Sequence, residues 1–107
     1  MSVFRTKRGD LLPIIQGTCT DVNGPVDLTN ATSVRFLMKS SAGVAKVTSA
    51  AAFVDRPNGV VSYTWAGTDT DTVGDYTAEF EVTWPGAKPE TFPNRGYITV
   101  SIFQDLG

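Results

Sequence analysis

No histidine occurs among the 107 residues, and cysteine occurs once, at Cys19. The first absence removes the commonest general base and the commonest metal ligand. The second excludes an internal disulfide, so stability has to come from packing. Charge is sparse: nine Lys and Arg against eleven Asp and Glu leave a formal net charge of −2, with no clustered basic footprint for nucleic acid. No apolar run approaches the ~20 residues of a membrane-spanning helix. Residues 1–8 carry no apolar core of a secretion signal, so synthesis in a cytoplasm is expected. Helix formers cluster only in Ser49-Ala50-Ala51-Ala52, too short to hold a helix alone.

What remains is the pattern of an all-β domain. From Tyr76 to Trp84 every second residue is apolar (Tyr76, Ala78, Phe80, Val82, Trp84), and Thr77, Glu79, Glu81 and Thr83 alternate with them. Side chains alternate sides along a strand, so one face of this segment is buried and the other meets water. Turn signals recur at Asn23-Gly24-Pro25, Ala42-Gly43, Pro57-Asn58-Gly59, Val73-Gly74-Asp75, Pro85-Gly86 and Pro93-Asn94-Arg95-Gly96. The runs between them predict strands over 11–20, 33–39, 45–53, 60–65, 75–84 and 97–103, with a seventh at 3–7. Val34, Phe36, Met38, Val61, Tyr63, Trp65, Ile98, Val100 and Ile102 take the inward register. Residues 27–32 break the period and predict one tight helical turn, with Leu28 plugging the end of the core. The Gly74-Asp75-Tyr76 start of the long strand resembles the corner tyrosine of immunoglobulin-like sandwiches, with Ala78 where antibody domains carry a cysteine. The expected fold is an immunoglobulin-like two-sheet β-sandwich of about seven strands without a disulfide. Residues 1–8 are an N-terminal arm or edge strand, and 9–107 a single domain.

Chemistry finds little to stand on. Asp69, Asp71 and Asp75 form an acidic loop whose Asp-x-Asp spacing faintly resembles a calcium loop, but Val73 and Phe80 occupy ligand positions. A solvated turn with aspartates capping backbone amides is the expected state. Glu79 and Glu81 share an outer strand face and read as solvated residues rather than an acid–base pair. Cys19, in a strand-like run, reads as a small buried hydrophobe. Asn30-Ala31-Thr32 matches a glycosylation sequon and reads as a turn. Trp65 and Trp84 follow inward registers, whereas Tyr97 falls on the outward one and is open to a contact role. Arg5, Lys7, Arg8 and Asp10 read as a solvated arm. No enzymatic activity and no cofactor are expected.

The order of the pieces adds a resemblance. Gly9-Asp10-Leu11-Leu12-Pro13-Ile14 is followed by Asp21-Val22-Asn23-Gly24-Pro25-Val26-Asp27-Leu28-Thr29 and Ala31-Thr32-Ser33-Val34-Arg35-Phe36-Leu37-Met38. Then come Asn58-Gly59-Val60-Val61-Ser62-Tyr63-Thr64-Trp65 and Gly74-Asp75-Tyr76-Thr77-Ala78-Glu79-Phe80-Glu81-Val82. Together they resemble the N-terminal immunoglobulin-like domain of the baseplate upper protein family of tailed phages. The resemblance implies a structural component of a virion, in its head, neck or baseplate, acting by protein–protein contacts. Its partners would be other virion proteins in symmetric multiple copies, with no nucleic acid, membrane or small-molecule substrate. Contacts are expected from strand edges, loops and the arm, with Phe4, Arg5, Arg8 and Tyr97 as candidate residues. The alternative is a carbohydrate- or receptor-binding module using exposed aromatics. Tryptophans lining a groove would favour it, and buried ones would count against it.

Overall fold

Alternation of apolar and polar residues resolves into eleven strands and no helix in a computed structural model that describes residues 3–106. In chain order they are β1 (Val3–Lys7), β2 (Ile15–Thr18), β3 (Thr20–Asp21), β4 (Gly24–Pro25), β5 (Ser33–Ser40) and β6 (Ala45–Ala50). β7 (Ala52–Asp55), β8 (Val60–Tyr63), β9 (Gly74–Trp84), β10 (Lys88–Phe92) and β11 (Ile98–Phe103) follow. The larger sheet runs β1-β11-β9-β5-β6, with β10 also on β9; the smaller runs β2-β8-β7, and β3-β4 is a separate hairpin. The chain is an all-β, immunoglobulin-like two-sheet sandwich without a disulfide. Its strands are more numerous than the seven expected.

The reason lies largely in β9. Eleven residues at strand rise span about 36 Å, long enough to hold two partners end to end on one side. Its first half pairs with β11 (Ala78 opposite Ile98) and its second half with β10 (Phe80 opposite Phe92). β5 pairs along nearly all of its other side. The inward residues of both sheets meet in one core, where the Phe36 ring of β5 stacks on Tyr63 of β8 at 4.8 Å and tilts against Phe80 at 5.1 Å. Tyr76, Phe80, Val82, Phe36, Met38, Val61 and Val100 are all buried in it, as their registers predict.

Several expectations need correction. The run 11–20 is not one strand: Leu11 and Leu12 are exposed, Pro13 has no N–H to give a ladder, and pairing starts only at Ile15. The run 45–53 divides at Ala51, whose N–H donates to the Val34 carbonyl as the chain leaves one sheet for the other. Lys88–Phe92, whose Pro89 argues against a strand, forms β10 because pairing on one side of β9 leaves that proline free of any ladder duty. Residues 27–32 make a β-turn rather than a helical one. Ala31 N–H bonds the Leu28 carbonyl, and Asp27 Oδ1 accepts from the Thr29 amide at 2.9 Å. Leu28 does plug the core and is fully buried.

Of the two alternatives expected for the N-terminus, arm or edge strand, residues 3–7 take the second, with the bounds expected of a seventh strand. β1 lies parallel to β11 from Val3 opposite Thr99 to Lys7 opposite Phe103, with Thr6 buried and Phe4 against the Trp65 ring at 5.7 Å. Two apolar or small inward side chains at i and i+2 were enough to seat it. Residues 1 and 2 of the expected arm lie outside the described residues.

Candidate functional site

The two flanks of the sandwich differ. On one, β6 continues through Ala51 into β7, so the chain itself joins the sheets. On the other, the sheets end in β1 and β2, which do not pair with each other. A cleft of about 530 Å³ opens there, walled by Val3 and Phe4 of β1, by β2, and by the loop from Phe92 to Ile98, with Phe80 at its floor.

Local sequence explains the opening. Ile15 and Gly17 of β2, and Cys19 just beyond it, take the inward register, and Gly17 has no side chain to fill its place. A Cβ built there would stand 3.5 Å from Phe80 Cε2, an ordinary contact. Pro93 and Gly96 carry the chain from β10 to β11 as a loop, holding Arg95 and Tyr97 at the rim.

Of the residues proposed for partner contact, the structure brings Phe4 and Tyr97 together on this cleft. Tyr97 is 52% exposed and also borders a second depression of about 440 Å³ beside Leu37, Lys39, Thr77 and Glu79. Arg5 is exposed on the other side of β1, and Arg8 is committed to Asp105 at 2.8 Å. Sequence reasoning missed Gly17, Arg95 and Phe92. A glycine inside an apolar strand, a mark of close approach, was the available signal for the first.

The acidic loop is dispersed among separate partners. Asp69 Oδ2 accepts from the Tyr63 hydroxyl at 2.5 Å and the Ala66 amide at 2.9 Å. Asp71 Oδ1 accepts from Lys46 at 2.5 Å and the Thr72 hydroxyl at 2.8 Å, and these donors, Lys46 first, hold its carboxyl below the usual range. Asp75 accepts from the Ser101 hydroxyl at 2.7 Å. No group of three or more His, Cys, Asp or Glu is placed to hold a metal ion among the described residues. Glu81 pairs with Arg35 at 2.8 Å across the strands, while Glu79 stands opposite Leu37, so the two glutamates face different neighbours. Cys19 touches the cleft but is 1% exposed, and burial pushes its thiol up to about 12. At neutral pH it is a protonated, weakly nucleophilic group. Trp65 is buried, and Trp84 is half-buried with Nε1 donating to Glu90 Oε1 at 3.0 Å.

No protein-family profile matches this chain. No curated protein matches it either. Among solved structures it is similar to CopC from Methylosinus trichosporium OB3b, at 10% identity and a TM-score of 0.54, over all of this chain and 89% of that one. At that identity the likeness shows the fold, a β-sandwich, and nothing about the site. The resemblance to the baseplate upper protein family is therefore corrected. The residues that carried it occupy turns and inward strand positions: Gly59 in a turn, Tyr76, Phe80 and Val82 in the core. A sandwich of any lineage asks for the same types there.

Proposed function

We propose that this chain is a structural subunit without catalytic activity, held to other proteins of a multi-copy assembly through the open flank of the sandwich. The cleft between two unpaired sheet edges carries this reading. It offers apolar area (Phe4, Ile15, Phe80, Ile98) and a polar rim, as contact surfaces do. It offers little for bond-making: a protonated thiol, a guanidinium and a phenol, with no general base among its lining residues. The specific setting proposed is a tailed-phage particle, with other virion proteins as partners; the corrected family resemblance lends it no support, and the contact surface alone does. Mass spectrometry of intact particles purified from the encoding organism tests it. The chain at fixed stoichiometry in the particle fraction supports the reading. The chain found only as free monomer removes it.

A second reading, a carbohydrate-binding module, is favoured by one observation, the exposed Tyr97 ring beside two depressions. Against it, Trp65 is buried and Trp84 half-buried, and the other exposed ring, Phe103, lines neither depression. Binding on a glycan array that Tyr97→Ala abolishes would establish it.

A further inference from the structure

We infer that the open flank accepts an extended segment of a partner protein as an added strand on β2, apolar at alternate positions and carrying a carboxylate where it passes Arg95. The inference rests on the contact-subunit reading above and names the mode of contact. β2 is the outermost strand of its sheet, paired with β8 on one side only. The Cys19 N–H donates to the Gly59 carbonyl at 2.8 Å. Alternation along an antiparallel ladder then turns the backbone groups of Gly17 and Ile15 toward β8 and those of Gln16 and Thr18 outward. Among the described residues nothing bonds to these outward groups. The four residues of β2 together span about 13 Å at strand rise, the length of a four- or five-residue segment.

Sheet edges are normally blunted by charge, proline or cover. The other outer strands follow that rule: β1 carries Arg5 and Lys7, β6 Lys46, β7 Asp55, and β10 Lys88, Pro89 and Glu90. β2, Ile-Gln-Gly-Thr, has neither charge nor proline. Beside it, the place left by Gly17 over the Phe80 ring takes an apolar side chain from an added strand, which would close the sandwich on the flank that its own chain leaves open. Arg95 is the one charged residue lining the cleft, and it has no hydrogen-bond or ion-pair partner among the described residues. A carboxylate on the incoming strand complements it. All eleven strands among the described residues are already paired within their own sheets, so none of them is free to serve as the donor.

The test is selection of a randomised nine-residue peptide library on the full chain, followed by synthesis of the most enriched peptide. Enriched sequences should alternate apolar residues and include Asp or Glu. Arg95→Glu should exchange that acidic preference for a basic one. Gly17→Val, at a backbone position without positive φ, should fill the cleft and weaken the synthetic peptide at least tenfold while its melting curve remains cooperative. Independently of any variant, the amides of Gln16 and Thr18 should gain hydrogen-exchange protection when the peptide binds. No enrichment, binding unaltered in Gly17→Val, or unprotected Gln16 and Thr18 amides would each overturn the strand site. The two readings fail separately. Peptide binding at β2 with the chain absent from purified particles removes the assembly setting alone. Incorporation into particles without any β2-directed peptide removes the added strand alone.

Discussion

The Tyr76 hydroxyl donates to the Thr72 carbonyl at 2.7 Å, so the first inward side chain of β9 fastens the turn from which that strand emerges. The ring is buried, and the bond crosses only four residues. Tyr76→Phe keeps the packing and removes the bond. Its cost should be about 0.5–1.5 kcal/mol, the net worth of one such bond, read as a lower denaturation midpoint with an unchanged m-value. An unaltered midpoint would mean that the ring acts by packing alone.

Gly59 has φ +73, and a Cβ there would stand 2.6 Å from the Val26 carbonyl oxygen and 2.8 Å from that of Cys19. Both oxygens belong to backbone that cannot swing away, since Val26 N–H bonds the Cys19 carbonyl and Cys19 N–H bonds the Gly59 carbonyl. Gly59→Ala should therefore destabilise by roughly 2–4 kcal/mol, combining strain with displaced backbone. Chemical denaturation measures it, and a loss below 1 kcal/mol would contradict the packing described.

Arg56 Nη1 donates to the carbonyls of Leu28 and Ala31 at 3.3 and 2.9 Å, and the guanidinium lies 3.8 Å from the Phe53 ring centroid. One planar group thus closes the turn that seats Leu28. A lysine ammonium cannot stack and bridge at once. Arg56→Lys should cost about 1–2 kcal/mol, visible as a lower Tm with the strand signal of circular dichroism intact.

Stability should fall on the alkaline side. Burial first, then the hydrogen bond to Asp69, raises the Tyr63 phenol from 10.0 to about 12, and burial raises the Cys19 thiol from 9.0 to about 12. Both groups bind their protons more tightly folded than unfolded. Their contribution is complete below about pH 9 and is lost as pH climbs toward about 12. Tyr63→Phe and Cys19→Ala should each flatten part of that decline in melting temperature between those limits. On the acid side the sign is opposite. Asp71, held down by Lys46 and Thr72, and Asp27, held down by the Thr29 hydroxyl and amide, favour the folded state above the ordinary carboxylate value and lose that preference as pH falls.

Removing residues 1–7 should destabilise the domain rather than leave it intact. The deletion bares the β11 edge and takes Phe4 from Trp65, whose buried Nε1–H has no partner among the described residues and whose ring is held by packing with Phe4, Phe36 and Tyr63. Phe4→Ala alone should cost about 2 kcal/mol, somewhat less than a fully buried phenylalanine. The Trp65 emission should shift to the red in both variants, and an unchanged spectrum would restore the picture of a detached arm.

Sequence alone determined the class, the inward residues and the tyrosine corner. Period-2 alternation assigns a side chain to a face without knowing what covers that face, so Phe36, Phe80, Val61 and Val100 were legible from their neighbours. The Tyr76 bond was legible because donor and acceptor lie four residues apart. The tertiary structure decided everything that joins distant segments. Whether residues 3–7 float or pair depends on a vacant edge of β11 some ninety residues later, and a local pattern carries no information about vacant edges. β10 was hidden because Pro89 is tolerated only where one side of the strand has no partner. The cleft was hidden for a related reason: Gly17 becomes a gap only when Phe80 lies beneath it, and Arg95 becomes a lone charge only when the flank beside it stays open. Composition set what the chain has to build with, and pairing across the sheets decided where it was left unfinished.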